Sequence, residues 1–147
     1  MICCISIGLT TSAFSGDFPG KNSKYCGLPD DFALPKDGTK SAGVERFYGV
    51  YDGFWAGSLA HTLIVDEISD GKATGHYGHG VYERWGITKP GCRPFRGTIT
   101  AEKLILDSKG AEITYYFYGD DLYGGFYSKR TGYTQKGKFR RLAAPTK

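Results

Sequence analysis

Short β-prone runs alternate with turn residues from position 44 almost to the C-terminus, and no segment between them has the period of an amphipathic helix. Eight candidate strands follow from this pattern, at 46–52, 61–68, 72–79, 81–86, 95–100, 103–107, 111–118 and 122–128. A further run at 133–142 predicts a ninth strand, or a replacement for 81–86. Tight turns such as Ser69-Asp70-Gly71 make consecutive strands antiparallel neighbours.

The predicted fold class is all-β: a single antiparallel meander that closes into a roughly eight-stranded barrel, preceded by an irregular N-terminal arm. Closure is expected because an open meander would leave two unpaired sheet edges. A barrel of about eight strands has an interior wide enough for side chains or for one small ligand.

Alternation along the strands predicts which side chains face the barrel interior. The inward sets are Ile113, Tyr115 and Phe117, then Leu122, Gly124 and Phe126, then Phe95, Gly97 and Ile99. In the closing run, one face carries Tyr133, Gln135, Gly137, Phe139 and Arg141. The run 61–66 is apolar on both faces, which predicts that the arm covers it from outside.

The chain before the barrel divides into two segments. Residues 1–16 are uncharged and apolar with small residues at their end, which favours a shortened export signal, although an N-terminal strand packed on the domain fits the same pattern. Residues 17–43 hold three of the six prolines and predict the irregular arm, 44–142 the barrel domain, and 143–147 a tail. Export would make the protein secreted or periplasmic and would let Cys26 and Cys92 pair as a disulfide.

Composition agrees with a single turn-rich β-domain. The 147 residues include 22 glycines, 11 tyrosines and 9 phenylalanines, and no run reaches the ~18 apolar residues of a transmembrane helix. The net charge is +4, and only basic charges follow Asp121. Basic residues on a last strand commonly prevent sheet-to-sheet aggregation, so we expect no nucleic-acid partner.

The first candidate strand and its continuation carry Gly49-Val50-Tyr51 and Gly53-Phe54-Trp55, and the last strand carries Arg140 and Arg141. In these features the chain resembles the calycin group of lipocalin-like and avidin-like up-and-down barrels, in which a Gly-x-Trp on the first strand packs near an arginine on the last. The resemblance covers roughly 44–142 and implies a barrel without naming its ligand. The run 55–65 and the basic last strand are also similar to small bacterial domains of unknown function.

The main functional hypothesis is a protein that binds a small, partly apolar ligand in an aromatic-lined cavity. The candidate ligand-binding residues are Tyr51, Trp55, Tyr77, His79, Tyr115, Phe117, Phe126 and Arg141. One alternative is a lyase, isomerase or cyclase in which Tyr77, His79 and Tyr115 perform acid–base chemistry. The other is a carbohydrate- or protein-binding module that uses the outward tyrosines, which are Tyr116, Tyr118, Tyr123 and Tyr127.

The sequence predicts neither a metal site nor a cofactor. His76 and His79 lie three residues apart on one strand and therefore face opposite sides unless a bulge intervenes. The glycines are dispersed along the chain instead of clustering before a helix, and Ser58 lacks the strand–turn–helix setting of a hydrolase nucleophile.

Overall fold

Eight antiparallel strands form a closed barrel in a computed structural model that describes residue 26 and residues 43–142. The strands are β1 (Gly49–Trp55), β2 (Leu59–Ser69), β3 (Lys72–His79), β4 (Gly91–Ile99), β5 (Lys103–Leu106), β6 (Ala111–Tyr118), β7 (Asp121–Ser128) and β8 (Thr134–Arg141). Each pairs with its neighbour in sequence, and β1 closes the barrel on β8. The all-β meander barrel predicted from the sequence is confirmed.

The predicted export signal at 1–16, the tail at 143–147 and most of the arm at 17–43 lie outside the described residues. Helical structure in the described part is limited to two 3-10 segments, Gly43–Phe47 and Glu83–Trp85. No helix among those residues combines the length and the apolar character that crossing a membrane requires.

The connection between β3 and β4 differs from the predicted strand at 81–86. Tyr82 forms an isolated bridge with Ile87, and the 3-10 segment between them ends at Gly86 in the left-handed conformation. The eighth strand is instead supplied by the closing run, at 134–141. β4 also begins four residues before the predicted 95, because its first half pairs with β3 alone and tolerates Pro94 there.

The barrel interior is filled over much of its length by the inward-facing side chains. The largest fully buried members of this core include Tyr51, Leu63, Tyr115, Leu122 and Phe139. Inward positions predicted by alternation, such as Phe95 and Ile99, are buried as expected. Packing of these side chains in the interior therefore follows directly from the two-residue period of the strands.

A second, smaller cluster lies on the outer side of β1 and β2. It consists of Cys26, Val50 and Ile64, with Cys92 and Leu142 against it. The sulfur atoms of Cys26 and Cys92 lie at disulfide distance, 2.09 Å apart. Residues 61–65 are buried throughout, so β2 is covered from outside at the position of Cys26, as its apolar outer face predicts.

One end of the barrel is closed by the first 3-10 segment, Gly43–Phe47. Phe47 is fully buried, with its ring centroid 4.9 Å from that of Phe117. Arg141 of β8 donates from Nη2 to the carbonyl oxygens of Arg46 and Tyr48, which ties the segment to the last strand. We refer to this as the closed end of the barrel.

Tyr51 joins the same arrangement at the closed end. Its hydroxyl donates to the carbonyl oxygen of Arg46, and the Arg141 guanidinium lies 5.6 Å from its ring centroid. Burial raises the pKa of Tyr51 to about 12, against the opposing effect of the two nearby arginines, so the hydroxyl keeps its proton and acts as a donor. Gly49 has φ +135°, and a Cβ there would lie 3.2 Å from Arg141 Nε, so glycine makes room for the guanidinium.

Candidate functional site

The opposite end of the barrel opens into a cavity of about 610 Å³. Its wall is mostly aromatic and aliphatic, and it includes both tryptophans of the chain, Trp55 and Trp85. The other lining residues are Leu59, His61, Tyr77, His79, Ile87, Ile113, Tyr115, Phe126, Ser128, Arg130, Thr131, Tyr133 and Gln135. A volume of this size lies within the range of roughly 300–1,000 Å³ that is typical of small-molecule sites.

Trp55 lines the cavity at a position where two glycines make room for its indole ring. Gly124 of β7 and Gly137 of β8 are register partners, and a Cβ on either would lie within 3.0 Å of the ring. Phe139 supports the ring from the side, with centroids 5.4 Å apart. The indole therefore rests against bare backbone, which places its remaining surface toward the cavity and the Tyr115 ring.

The polar centre of the cavity is a hydrogen-bonded pair of His61 on β2 and Tyr115 on β6. His61 Nε2 lies 2.8 Å from the Tyr115 hydroxyl oxygen, and the two rings are nearly parallel. His61 is only 4% exposed and Tyr115 only 1%. Two polar groups thus lie in an apolar interior and satisfy each other, as buried polar groups require.

Burial shifts the pKa of each member of this pair away from neutrality. Desolvation, with a smaller contribution from His79, lowers the pKa of His61 to about 3, although a hydrogen bond with the Gly78 backbone partly opposes the shift. Desolvation also raises the pKa of the Tyr115 hydroxyl far above its ordinary value, and Tyr77 adds to that effect. Both groups are therefore uncharged at neutral pH.

Tyr77 and His79 on β3 add two polar side chains to the cavity wall beside this pair. The Tyr77 ring lies 5.9 Å from that of His61 between centroids. His79 Nδ1 lies 3.0 Å from the carbonyl oxygen of Gly80, an acceptor, so this ring nitrogen carries a proton and donates. His61 and His79 are direct register partners because β2 contains an irregularity between Val65 and Glu67.

The rim of the cavity is formed by the connections that precede β4 and β8. Trp85 packs edge-on against Tyr82 of its own connection, with ring centroids 4.9 Å apart, and reaches Tyr133 across the opening at 6.1 Å. Arg130 and Thr131 are exposed on the β7–β8 side. The rim therefore combines aromatic contact area with the basic side chain of Arg130, which lines the cavity.

Five of the eight residues predicted to bind a ligand line the cavity: Trp55, Tyr77, His79, Tyr115 and Phe126. The other three lie in the closed end, where Tyr51 and Arg141 bind the 3-10 segment. There Phe117 packs under the Arg46 guanidinium, 3.8 Å from its ring centroid. The predicted set is thus divided between the two ends of the barrel.

The sequence-based list omits His61 and the aromatic residues of the rim. Alternation alone places His61 on the same face as Leu63 and Val65, so an inward orientation could have been predicted. Its position opposite His79 could not, since it depends on the irregularity in β2. The sequence predicts a strand at Trp85, whereas the structure has a 3-10 segment of the rim connection there.

The remaining histidine, His76, lies outside the cavity. Its Nδ1 is 3.6 Å from an Asp66 carboxylate oxygen, and its side chain is 41% exposed. Within residues 43–142 and at Cys26, no three potential ligands of the His, Cys, Asp and Glu types come together as a metal site would require.

The outward tyrosines lie side by side on β6 and β7. Tyr116 and Tyr123 stack with ring centroids 6.0 Å apart, and Tyr118 packs edge-on against Tyr123 while remaining 77% exposed. Lys138, which forms an ion pair with Asp121, lies 5.6 Å from the Tyr123 centroid. These contacts are cross-strand pairs of the kind that stabilise a sheet surface.

No protein-family model matches this chain, and no curated protein matches it significantly. The function has therefore to be inferred from the geometry of the barrel and its cavity.

Proposed function

We propose that this protein is a calycin-like barrel that binds a small, partly apolar molecule in the cavity between Trp55 and the rim. The observation that supports the proposal best is the cavity itself, about 610 Å³ in volume and lined mainly by aromatic and aliphatic side chains. A few polar groups converge at its centre, which is the usual composition of a site that takes up an apolar ligand and fixes its orientation.

The closed end supports the assignment to a calycin-like barrel. Arg141 on the last strand lies near Tyr51 on the first, in the place where the resemblance puts an arginine and an aromatic residue. The same guanidinium binds the carbonyl groups of the N-terminal 3-10 segment. These contacts give Arg141 a role in closing the barrel, away from the cavity.

The central pair of His61 and Tyr115 favours binding over acid–base catalysis. A general acid or base works best when its pKa lies near the operating pH. Here burial lowers the pKa of His61 to about 3 and moves the pKa of Tyr115 upward, so neither group exchanges protons readily at neutral pH. The outer tyrosines are a weaker candidate for a binding site than the cavity, because Tyr116 and Tyr123 already stack on each other.

The proposal is tested by filling the cavity. We expect Ile113→Trp to abolish the fluorescence increase of the apolar dye N-phenyl-1-naphthylamine, since the indole would occupy the space that the dye needs. The neighbouring Thr114 lies on the opposite face of β6, so Thr114→Trp is the matched control and should bind the dye normally. Titration of the dye into each protein gives the affinity.

Native mass spectrometry on protein isolated from its host completes the test. A retained small molecule is expected in the wild type and in Thr114→Trp, and its loss is expected in Ile113→Trp. Thermal unfolding monitored by circular dichroism establishes that both variants are folded. Dye binding that is equal in the two variants, or absent from the wild type, would refute the proposal.

A further inference from the structure

The polarity of the hydrogen bonds at the centre of the cavity follows from the protonation of His61. A neutral imidazole has one N–H donor and one acceptor nitrogen, and a phenol hydroxyl has one donor and can also accept. A phenol O–H is a stronger donor than an imidazole N–H, and an imidazole nitrogen is a stronger acceptor than a phenol oxygen. The Tyr115 hydroxyl therefore donates to His61 Nε2 across 2.8 Å, and the N–H of the His61 ring is at Nδ1.

The Tyr115 hydroxyl consequently presents an acceptor to the cavity. Its only proton is directed at His61, while its oxygen can accept a further hydrogen bond. Tyr115 and His61 both line the cavity wall. A ligand group that reaches this position therefore forms a hydrogen bond only if it brings its own proton.

The surroundings of the pair disfavour a charged ligand group there. Among the residues that line the cavity, the arginine is Arg130, which is exposed at the rim, and Arg141 binds carbonyl groups at the closed end. His79 donates its Nδ1 proton to the Gly80 carbonyl, and the Tyr77 hydroxyl can rotate to either role. A carboxylate at the centre would lose its hydration without gaining a cation, which is strongly unfavourable.

The wall between the centre and the rim is suited to a flat, apolar body. Trp55, Ile113 and Phe126 line it near the centre, and Trp85 and Ile87 line it near the opening. Aromatic rings of a ligand pack edge-to-face or offset against such side chains.

We propose that the ligand is an uncharged aromatic or similarly apolar molecule with a hydrogen-bond donor at one end, such as a phenol, an alcohol or an N–H group, which donates to the Tyr115 hydroxyl oxygen. This inference rests on the proposed function, since it concerns the ligand of the same cavity. It assigns Tyr115 and His61 a joint role in specificity, with His61 as the positioning residue that fixes the direction of the Tyr115 proton.

Displacement of N-phenyl-1-naphthylamine by four biphenyl compounds tests the inference at pH 7.5. In this series, 4-phenylphenol supplies a hydrogen-bond donor, 4-methoxybiphenyl supplies only an acceptor, and biphenyl supplies neither. The fourth compound, biphenyl-4-carboxylate, supplies a negative charge. We expect 4-phenylphenol to bind about five- to tenfold more tightly than 4-methoxybiphenyl and biphenyl, the effect of one net hydrogen bond. The carboxylate should bind most weakly of the four.

Tyr115→Phe removes the acceptor oxygen and should reduce the preference for 4-phenylphenol to about twofold or less. Tyr116→Phe is the matched control on the outer face of the same strand, where the ring stacks on Tyr123, and it should leave the preference unchanged. Should Tyr115→Phe fail to fold, the ligand series on the wild-type protein decides alone.

The outcomes separate this inference from the proposal on which it rests. Equal affinities for 4-phenylphenol and biphenyl, tighter binding of the methoxy compound or the carboxylate, or a preference that persists in Tyr115→Phe would overturn the inference and leave the binding function standing. Failure of the wild-type protein to bind the dye or any of the four compounds would overturn both.

Discussion

His61 shows how a single residue can make a β-barrel sensitive to pH. It is a histidine in an almost fully buried position, where desolvation disfavours a charged imidazolium. The hydrogen bonds to Tyr115 and to the Gly78 backbone satisfy the neutral ring. Protonation would disrupt this arrangement, because Nε2 would change from an acceptor to a donor.

The stability of the folded protein should therefore decrease as the pH falls below about 6.5. The pKa of His61 is about 3 in the folded state and about 6.5 in an unfolded chain, so the unfolded state binds a proton first. The contribution of His61 to the free energy of unfolding is fully present above about pH 6.5 and is lost progressively as the pH falls to about 3. At pH 5 the expected loss is about 2 kcal/mol, measurable by urea unfolding at pH 7.5 and pH 5.

Two glutamine variants isolate the contribution of His61. His61→Gln should show a smaller decrease between the two pH values, whereas His76→Gln should behave as the wild type does, since His76 is 41% exposed. An equal pH dependence in the wild type and His61→Gln would show that His61 is not buried in its neutral form.

At the scale of elements, the paired glycines of β7 and β8 determine where Trp55 lies. Gly124→Ala would place a methyl group 2.5 Å from the edge of the indole ring and 3.0 Å from the Phe139 ring that packs against it, so both rings are crowded. We expect a loss of about 1–3 kcal/mol in the free energy of unfolding, as for other overpacked sites. Dye affinity should fall too, because the displaced indole moves into the cavity.

The adjacent glycine of β7 provides the matched control. A Cβ at Gly125 would have no atom within 4 Å, so Gly125→Ala should change stability by no more than about 0.5 kcal/mol and should bind the dye normally. Similar losses of stability in the two variants would indicate that the strand tolerates no side chain at either position. The contact with Trp55 would then not be the cause of the loss in Gly124→Ala.

Most strands could be predicted from the sequence because their turns and alternation are local signals. β3 and β6 match their predicted bounds in full, at 72–79 and 111–118. The run 81–86 has strand-forming residues but no strand partner beyond one bridge, between Tyr82 and Ile87. Pairing is a long-range property that the composition of a short run does not determine.

The candidate site was harder to predict than the strands. Alternation separates inward from outward side chains, but it does not give their height along the barrel axis, which depends on the stagger of the strands. Tyr51 and Trp55 both point inward from β1, yet Tyr51 lies in the closed end and Trp55 in the cavity. The irregularity in β2 that places His61 opposite His79 likewise depends on tertiary structure.

The barrel of the whole molecule has a closed end and an open end. The closed end contains Phe47, Tyr51 and Arg141, whose contacts hold the N-terminal 3-10 segment in place. The other end holds the cavity and its rim. The contacts that close the barrel and the residues that line the cavity are therefore separated along the barrel.

The pairing of Cys26 with Cys92 connects the segment before the barrel to β4. Their sequence separation is 66 residues, and Cys26 covers Val50 and Ile64 on the outside of the barrel. Closing a loop of this length restricts the unfolded chain, and the chain-entropy relation gives a stabilisation of about 4 kcal/mol.

We therefore expect Cys92→Ser to lower the free energy of unfolding by about 4 kcal/mol in urea titrations under oxidising conditions. A thiol reductant should bring the wild-type protein down to the stability of the variant and leave the variant unchanged, which separates loss of the bond from loss of packing at Cys92. Oxidised wild type that is no more stable than Cys92→Ser, or that does not respond to reductant, would contradict a stabilising disulfide. Because Cys26 and Cys92 lie outside the cavity lining, dye affinity should be the same in both folded proteins, so stability and dye binding can be tested independently.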